Sequence, residues 1–170
     1  SANWIMGELS AELNKENLIA FYSGEFVHFK IEAGRLSIRA KRSGIIDIKC
    51  ANQLCIFATL SGVTSYDMLS RVEKFLHPIS SDEKDVLLAI NNEQIFFADD
   101  SILYSSNLSG KIYDRKPIAN DTIEIHSFKP DHLSIIGPNS IAWKEAKGNW
   151  QFVNGNFSSQ RIFNIIKKDG

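Results

Sequence analysis

The stretch TSYDMLSRVEKFLH, residues 64–77, decides the fold class. Thr64-Ser65-Tyr66-Asp67 approximates a capping box, with Asp67 in place of the usual Glu. Met68, Leu69, Val72, Phe75 and Leu76 then recur at helical spacing, and Pro78 supplies the stop. The pattern predicts a helix over 64–77. One helix set among strands makes the chain a mixed α/β protein rather than an all-β one.

On the N-terminal side, glycines stand at positions 24, 34 and 44, ten residues apart. Between them, apolar and polar residues alternate with the period of a strand. Leu18–Ser23 reads as one strand. Glu25–Glu32 follows, with Val27, Phe29 and Ile31 on one face. In Arg35–Lys41, Leu36, Ile38 and Ala40 point one way and Arg35, Ser37, Arg39 and Lys41 the other. The chain is expected to fold back at each glycine, and Ile45–Lys49 and Leu54–Leu60 are further strand-like runs. Residues 3–15 space Trp4, Ile5, Leu9 and Leu13 as a short helix or arm. The predicted core holds Val27, Phe29, Leu36, Ile38, Leu69, Val72, Leu87 and Ile90.

On the C-terminal side, Asp85–Asn91 is a continuous apolar run, as in a strand buried on both faces. Asn91-Asn92 turns it into Gln94–Ala98. More strands are expected at 102–105, 111–114, 122–128, 132–136, 141–144 and 150–153, with a final helix over 158–168. No internal repeat stands out. The chain reads as a single domain, with two lobes, 1–100 and 101–170, as an open subdivision.

Apolar residues make up 44% of the 170 and the net charge is −1, so nothing draws the whole molecule to nucleic acid or an anionic membrane. The apolar runs are too short to span a bilayer as a helix. Cys50 and Cys55 have no second Cys or His pair nearby for zinc. They read as reduced strand-end thiols, with a disulfide across a hairpin left open as the alternative. The phosphate loop, dinucleotide fingerprint and nucleophile elbow are all missing. His28, His77, His126 and His132 are scattered, and Asp99-Asp100 reads as a polar turn. No cofactor, metal or catalytic residue is expected. Arg35, Arg39 and Lys41 form a basic stripe and are the candidate partner-binding residues. Trp143, Trp150 and Phe152 are a candidate stacking platform, with packing as the plainer reading.

Strand, strand, strand, helix, strand is the opening order of the ribonuclease-H/actin-like core. Leu18–Ser23 lacks the acid that such enzymes place on the first strand. The segments LIAFYSGEFVHFKIEAGRLSI (18–38), the helix at 64–77 and DVLLAINNEQIFFADD (85–100) resemble the cytoplasmic domains of bitopic inner-membrane proteins in type IV pilus and type II secretion machines. That resemblance implies a non-enzymatic scaffold on the cytoplasmic face of the inner membrane. It would recruit the cytoplasmic assembly ATPase to the inner-membrane platform protein, with its transmembrane helix beyond Gly170. Pairing of two copies is compatible with it. The alternative is a small bacterial immunity or inhibitor protein that also works by binding another protein.

Overall fold

The computed structural model describes residues 12–14, 16–79, 86–99, 101–127, 129–144 and 148–155. Sixteen strands form four antiparallel sheets, each made of four strands consecutive in sequence. The first sheet holds β1 (Glu12–Asn14), β2 (Asn17–Tyr22), β3 (Glu25–Glu32) and β4 (Arg35–Ser43). The second holds β5 (Ile45–Ala51), β6 (Leu54–Thr59), β7 (Gly62–Asp67) and β8 (Glu73–Pro78). The third holds β9 (Leu87–Ile90), β10 (Gln94–Asp99), β11 (Ile102–Asn107) and β12 (Ile112–Pro117). The fourth holds β13 (Glu124–His126), β14 (Leu133–Ile136), β15 (Ser140–Lys144) and β16 (Gln151–Asn154).

Turn chemistry sets this pattern. Ser23-Gly24 and Ala33-Gly34 each place two successive residues at positive φ, near 50° and 75°. Such primed turns match the twist of the strands they join. They close the β2–β3 and β3–β4 hairpins. Gly44, also at positive φ, behaves differently from the expected third fold-back: it hands the chain from β4 to β5, the first strand of another sheet.

The sheets stack face to face, and alternation along each strand divides its side chains between two cores. On β6, Cys55 and Phe57 pack toward the first sheet with Ile19, Phe26, Ile48 and Tyr66. Ile56 and Ala58 point the other way, into a core with Leu88, Ile90, Ile95 and Phe97 of the third sheet. On β10, Phe96 and Ala98 face Ile125 and Leu133 of the fourth sheet. A sheet packed on both faces needs apolar residues at both parities, which is why β6, β9 and β10 read as unbroken apolar runs. The first strands β5, β9 and β13 lie against one another, and the last strands β4, β8, β12 and β16 are the exposed outer edges.

The expected helix over 64–77 does not form, and no helix occurs among the described residues. Those residues make β7, a turn and β8. The capping signal is real but serves the turn. Asp67 Oδ1 accepts hydrogen bonds from Leu69 N (2.9 Å) and Ser70 N (2.8 Å), as an N-cap would. Arg71 N then bonds to Asp67 O (2.8 Å), completing one helical turn. At Arg71 the chain enters the left-handed region (φ 61°) and reverses, so the turn is not continued. Leu69, Val72 and Phe75 are exposed in consequence.

The protein is therefore all-β over the described residues, and the ribonuclease-H/actin-like βββαβ core is corrected. Val27, Phe29 and Leu87 are half-buried, and Leu36 and Ile38 are exposed, so of the predicted core only Ile90 is fully inside. Cys50 and Cys55, directly opposite on β5 and β6, are joined as a disulfide. The junction of the two lobes left open at 100/101 falls at the β10–β11 turn inside the third sheet, where Asp99 pairs with Ile102. The C-terminal helix expected over 158–168 lies outside the described residues. So does the N-terminal arm, apart from the short strand Glu12–Asn14.

Candidate protein-binding groove

A β-bulge breaks up the expected basic stripe. Phe29 pairs with Ile38 and His28 with Ala40, which leaves Arg39 as the extra residue. Before the bulge, Arg35 and Ser37 face the second sheet while Leu36 and Ile38 face away from it. After the bulge the parity inverts. Ala40 joins the core between the first two sheets, and Lys41 turns to the far side, where it pairs with Glu25 at 2.9 Å. Arg35 and Lys41 thus lie on opposite faces. Arg39 is re-aimed into a cleft of about 240 Å3 with Lys30, His28 and Arg71. Glu32 pairs with both Lys30 and Arg39, and the Lys30 hydrogen bond and charge hold its carboxyl below the usual range. Glu32 offsets part of the positive charge that Lys30, Arg39 and Arg71 bring to the cleft. Beneath it, His28 is fully buried. Its Nε2 donates to Asn17 Oδ1 (2.7 Å), and its Nδ1 accepts from the Tyr66 hydroxyl (2.9 Å). That pairing suits a neutral ring, and burial lowers its pKa accordingly.

The larger opening lies between the third and fourth sheets. β9 and β13 touch at the inner end, and the natural twist carries the outer strands β12 and β16 apart. Two hollows of about 300 Å3 each open in the gap and share Leu103, Lys116 and Trp150. The first has Phe96, Leu103 and Leu133 at its base and Gln94, Tyr113, Asp114, Lys116 and Asp131 around it. The second is more apolar, with Ile118, Ile135, Ala142 and Phe152. Together they make one groove with Trp150 in its middle.

Its polar rim is preorganised. Gln94 Nε2 donates to the Tyr113 hydroxyl (2.9 Å) and to Asp131 Oδ1 (3.1 Å), and Lys116 pairs with Asp114 at 3.1 Å. Burial raises the Tyr113 phenol above its ordinary pKa, so it stays protonated and able to donate. Phe152 is 67% exposed, an aromatic ring held open to solvent beside a half-buried tryptophan.

Of the three aromatics read as a platform, Trp150 and Phe152 come together in the groove and Trp143 does not. Trp143 pairs with Gln151 and Ala142 with Phe152, so Trp143 and Phe152 take opposite faces of the fourth sheet. The period-two spacing of Trp150 and Phe152 was the visible signal. The facing wall of β11–β12 was not visible, because its residues come from another sheet. Among the described residues, no group of three or more His, Cys, Asp or Glu is placed to hold a metal ion, and no helix is long and apolar enough to cross a membrane.

No protein-family model matches the sequence, and no curated protein matches it significantly. Solved structures do match. BamB from Moraxella catarrhalis superposes with a TM-score of 0.60 at 12% identity, over 85% of this chain and 49% of that one. PorZ, an essential bacterial surface component of the type-IX secretion system of Porphyromonas gingivalis, gives 0.59 at 14% identity, over 86% and 20%. The N-terminal domain of Nup159 gives 0.59 at 13% identity, over 89% and 45%. The fold is β-propeller-like. Each four-stranded sheet is a blade, and its first strand lies nearest the common axis. This chain spans about half the length of the BamB and Nup159 chains and a fifth of PorZ. Identities this low bear on the fold alone. The resemblance to the cytoplasmic domains of pilus and secretion proteins is overturned, since the helix that carried it is a β-hairpin and the actin-like core is a row of blades.

Proposed function

We propose that this protein is a non-enzymatic binding module that holds an extended segment of a partner protein in the groove between its third and fourth blades. The observation that carries the reading is the pairing of an exposed Phe152 with Trp150 over an apolar floor, inside a rim of fixed hydrogen-bonding groups. Aromatic anchors in concave, partly dry sites are where binding energy concentrates. The rim's Lys116, Asp114 and Asp131 suit a segment carrying both polar groups and a large apolar side chain.

The assembly ATPase of a pilus or secretion machine was implied by a resemblance that no longer stands, so the partner is proposed only by this chemistry. An inhibitor acting by protein contact would use the same groove. The Cys50–Cys55 disulfide favours an oxidising compartment over the cytoplasmic face of the inner membrane.

A random-peptide display selection against the protein tests the reading. Enriched peptides should share a large apolar or aromatic residue. Phe152→Asp, at an exposed position, should weaken them by at least tenfold, about 1.4 kcal/mol. Peptides whose affinity is indifferent to Phe152→Asp and to Trp150→Ala would place the binding surface elsewhere.

A further inference from the structure

Two breaks in backbone regularity, on different blades, bring guanidinium groups to the cleft between the first and second blades. On β4 the bulge re-aims Arg39 into it. In the β7–β8 turn Arg71 stands at φ 61°, a left-handed conformation uncommon for any residue with a side chain. Asp67 braces that turn by accepting hydrogen bonds from Leu69 N, Ser70 N and Arg71 N. Strain kept in a braced turn points to a use for the side chain it positions. Lys30 joins from β3. Glu32 pairs with Lys30 and lies 3.6 Å from Arg39, while among the described residues no carboxylate forms an ion pair with Arg71. The buried Met68 and the exposed Leu69 give the cleft an apolar wall. Its floor is His28, whose two ring nitrogens are taken by Asn17 and Tyr66.

We propose that this cleft is a binding site for a single carboxylate carried on a short apolar stem. Charge selects the class of ligand. Lys30, Arg39 and Arg71 are positive, Glu16 in the lining and Glu32 beside it are negative, and one positive charge is left over. A carboxylate completes that balance, whereas a phosphate dianion overshoots it. Geometry agrees, because the fork of a guanidinium matches the two oxygens of a carboxylate. The Lys30 and Arg39 side chains are only 33% and 35% exposed, so their attraction is screened less than on an open surface. Size sets the stem. The cleft measures about 240 Å3, below the roughly 300 Å3 at which pockets for larger organic ligands begin. It holds a carboxylate and a few carbons against Met68 and Leu69. A free short-chain acid and the C-terminus of a polypeptide share this chemistry. The site is separate from the groove between the third and fourth blades and does not depend on the role proposed for it.

NMR titration of the 170-residue chain with pentanoate, and with its neutral counterpart pentanamide, reads the outcome at the site. Signals of the His28 ring and the Arg39 side chain should shift and saturate with pentanoate and stay in place with pentanamide. Arg71→Gly should weaken pentanoate binding about tenfold. Glycine suits the left-handed backbone at that position, so the melting temperature should hold or rise, and lost binding then reports the missing guanidinium rather than a damaged fold. Arg39→Gln should weaken binding likewise. A short peptide ending in leucine, with a free or an amidated C-terminus, separates the two sources. Tighter binding than pentanoate that amidation abolishes assigns the carboxylate to a polypeptide end, and binding no tighter than pentanoate assigns it to a free acid; either supports the site. Shifts that do not saturate, equal binding of pentanamide, an affinity indifferent to both substitutions, or tighter binding of inorganic phosphate than of pentanoate would each overturn the proposal.

Discussion

At the scale of single residues, the buried His28 makes the protein sensitive to acid. Its ring is held neutral by burial, and the charges of Arg39 and Arg71 lower its pKa further from the ordinary 6.5. His77 is lowered by burial too, against the opposing charge of Asp99 and with the help of Arg115. An unfolded chain takes up protons at both histidines near pH 6.5 while the folded chain does not. The stability they contribute is therefore complete above that pH and is lost as pH falls from there through the lower folded values. The melting temperature should drop between about pH 7.5 and about pH 5.5, and His28→Gln should blunt the drop. A melting temperature flat across that window would mean that neither histidine is held neutral by the fold.

At the scale of elements, the β7–β8 hairpin is where sequence and structure part. The capping chemistry of Asp67 and the spacing of Leu69, Val72 and Phe75 are both present in the molecule. What decides against a helix is the left-handed Arg71, one turn in, and the ladder that β7 forms with the buried β6. A tertiary pairing outweighs a local propensity here. The two readings differ in measurable terms. As helix core, Leu69 would be costly to replace. As a turn residue 64% exposed, Leu69→Ser should change stability by about 0.5 kcal/mol or less. Phe97→Ala, emptying the core between the second and third blades, should cost about 3–5 kcal/mol. Denaturant melts of the two variants check both values. Thirteen strands were legible from alternation and turn residues, β3 over its full range of 25–32. The burial assignments of the first blade were not. Alternation marks a face as apolar without saying which sheet will cover it, and the bulge at Arg39 has no signature in residue type.

At the scale of the whole molecule, the fourfold repeat escaped the sequence because the blades share architecture rather than residues. Their first strands begin at positions 12, 45, 87 and 124, a spacing near the roughly 40 residues usual for a four-stranded blade. The groove was half legible for the same reason. Trp150 and Phe152 announce themselves, but their opposite wall belongs to the preceding blade. The disulfide bears on where the molecule works. Protein taken from its native source under thiol-trapping conditions should show no free thiol after denaturation without reductant. Two trapped thiols per chain would return it to a reducing compartment.

Among the described residues, every strand hydrogen-bonds only to strands adjacent to it in sequence. Sheets of this kind are formed by closing short loops, one hairpin after another, so the entropy lost before each ladder begins to form is small. All-β proteins are slow to fold when their strands pair across long stretches of chain, and this one avoids that route. Each blade can be completed as soon as its own four strands have left the ribosome, and each finished blade offers its successor a surface to condense on. The row of blades grows in the direction of synthesis, and the apolar sheet faces that invite aggregation are covered as each new blade condenses on the last.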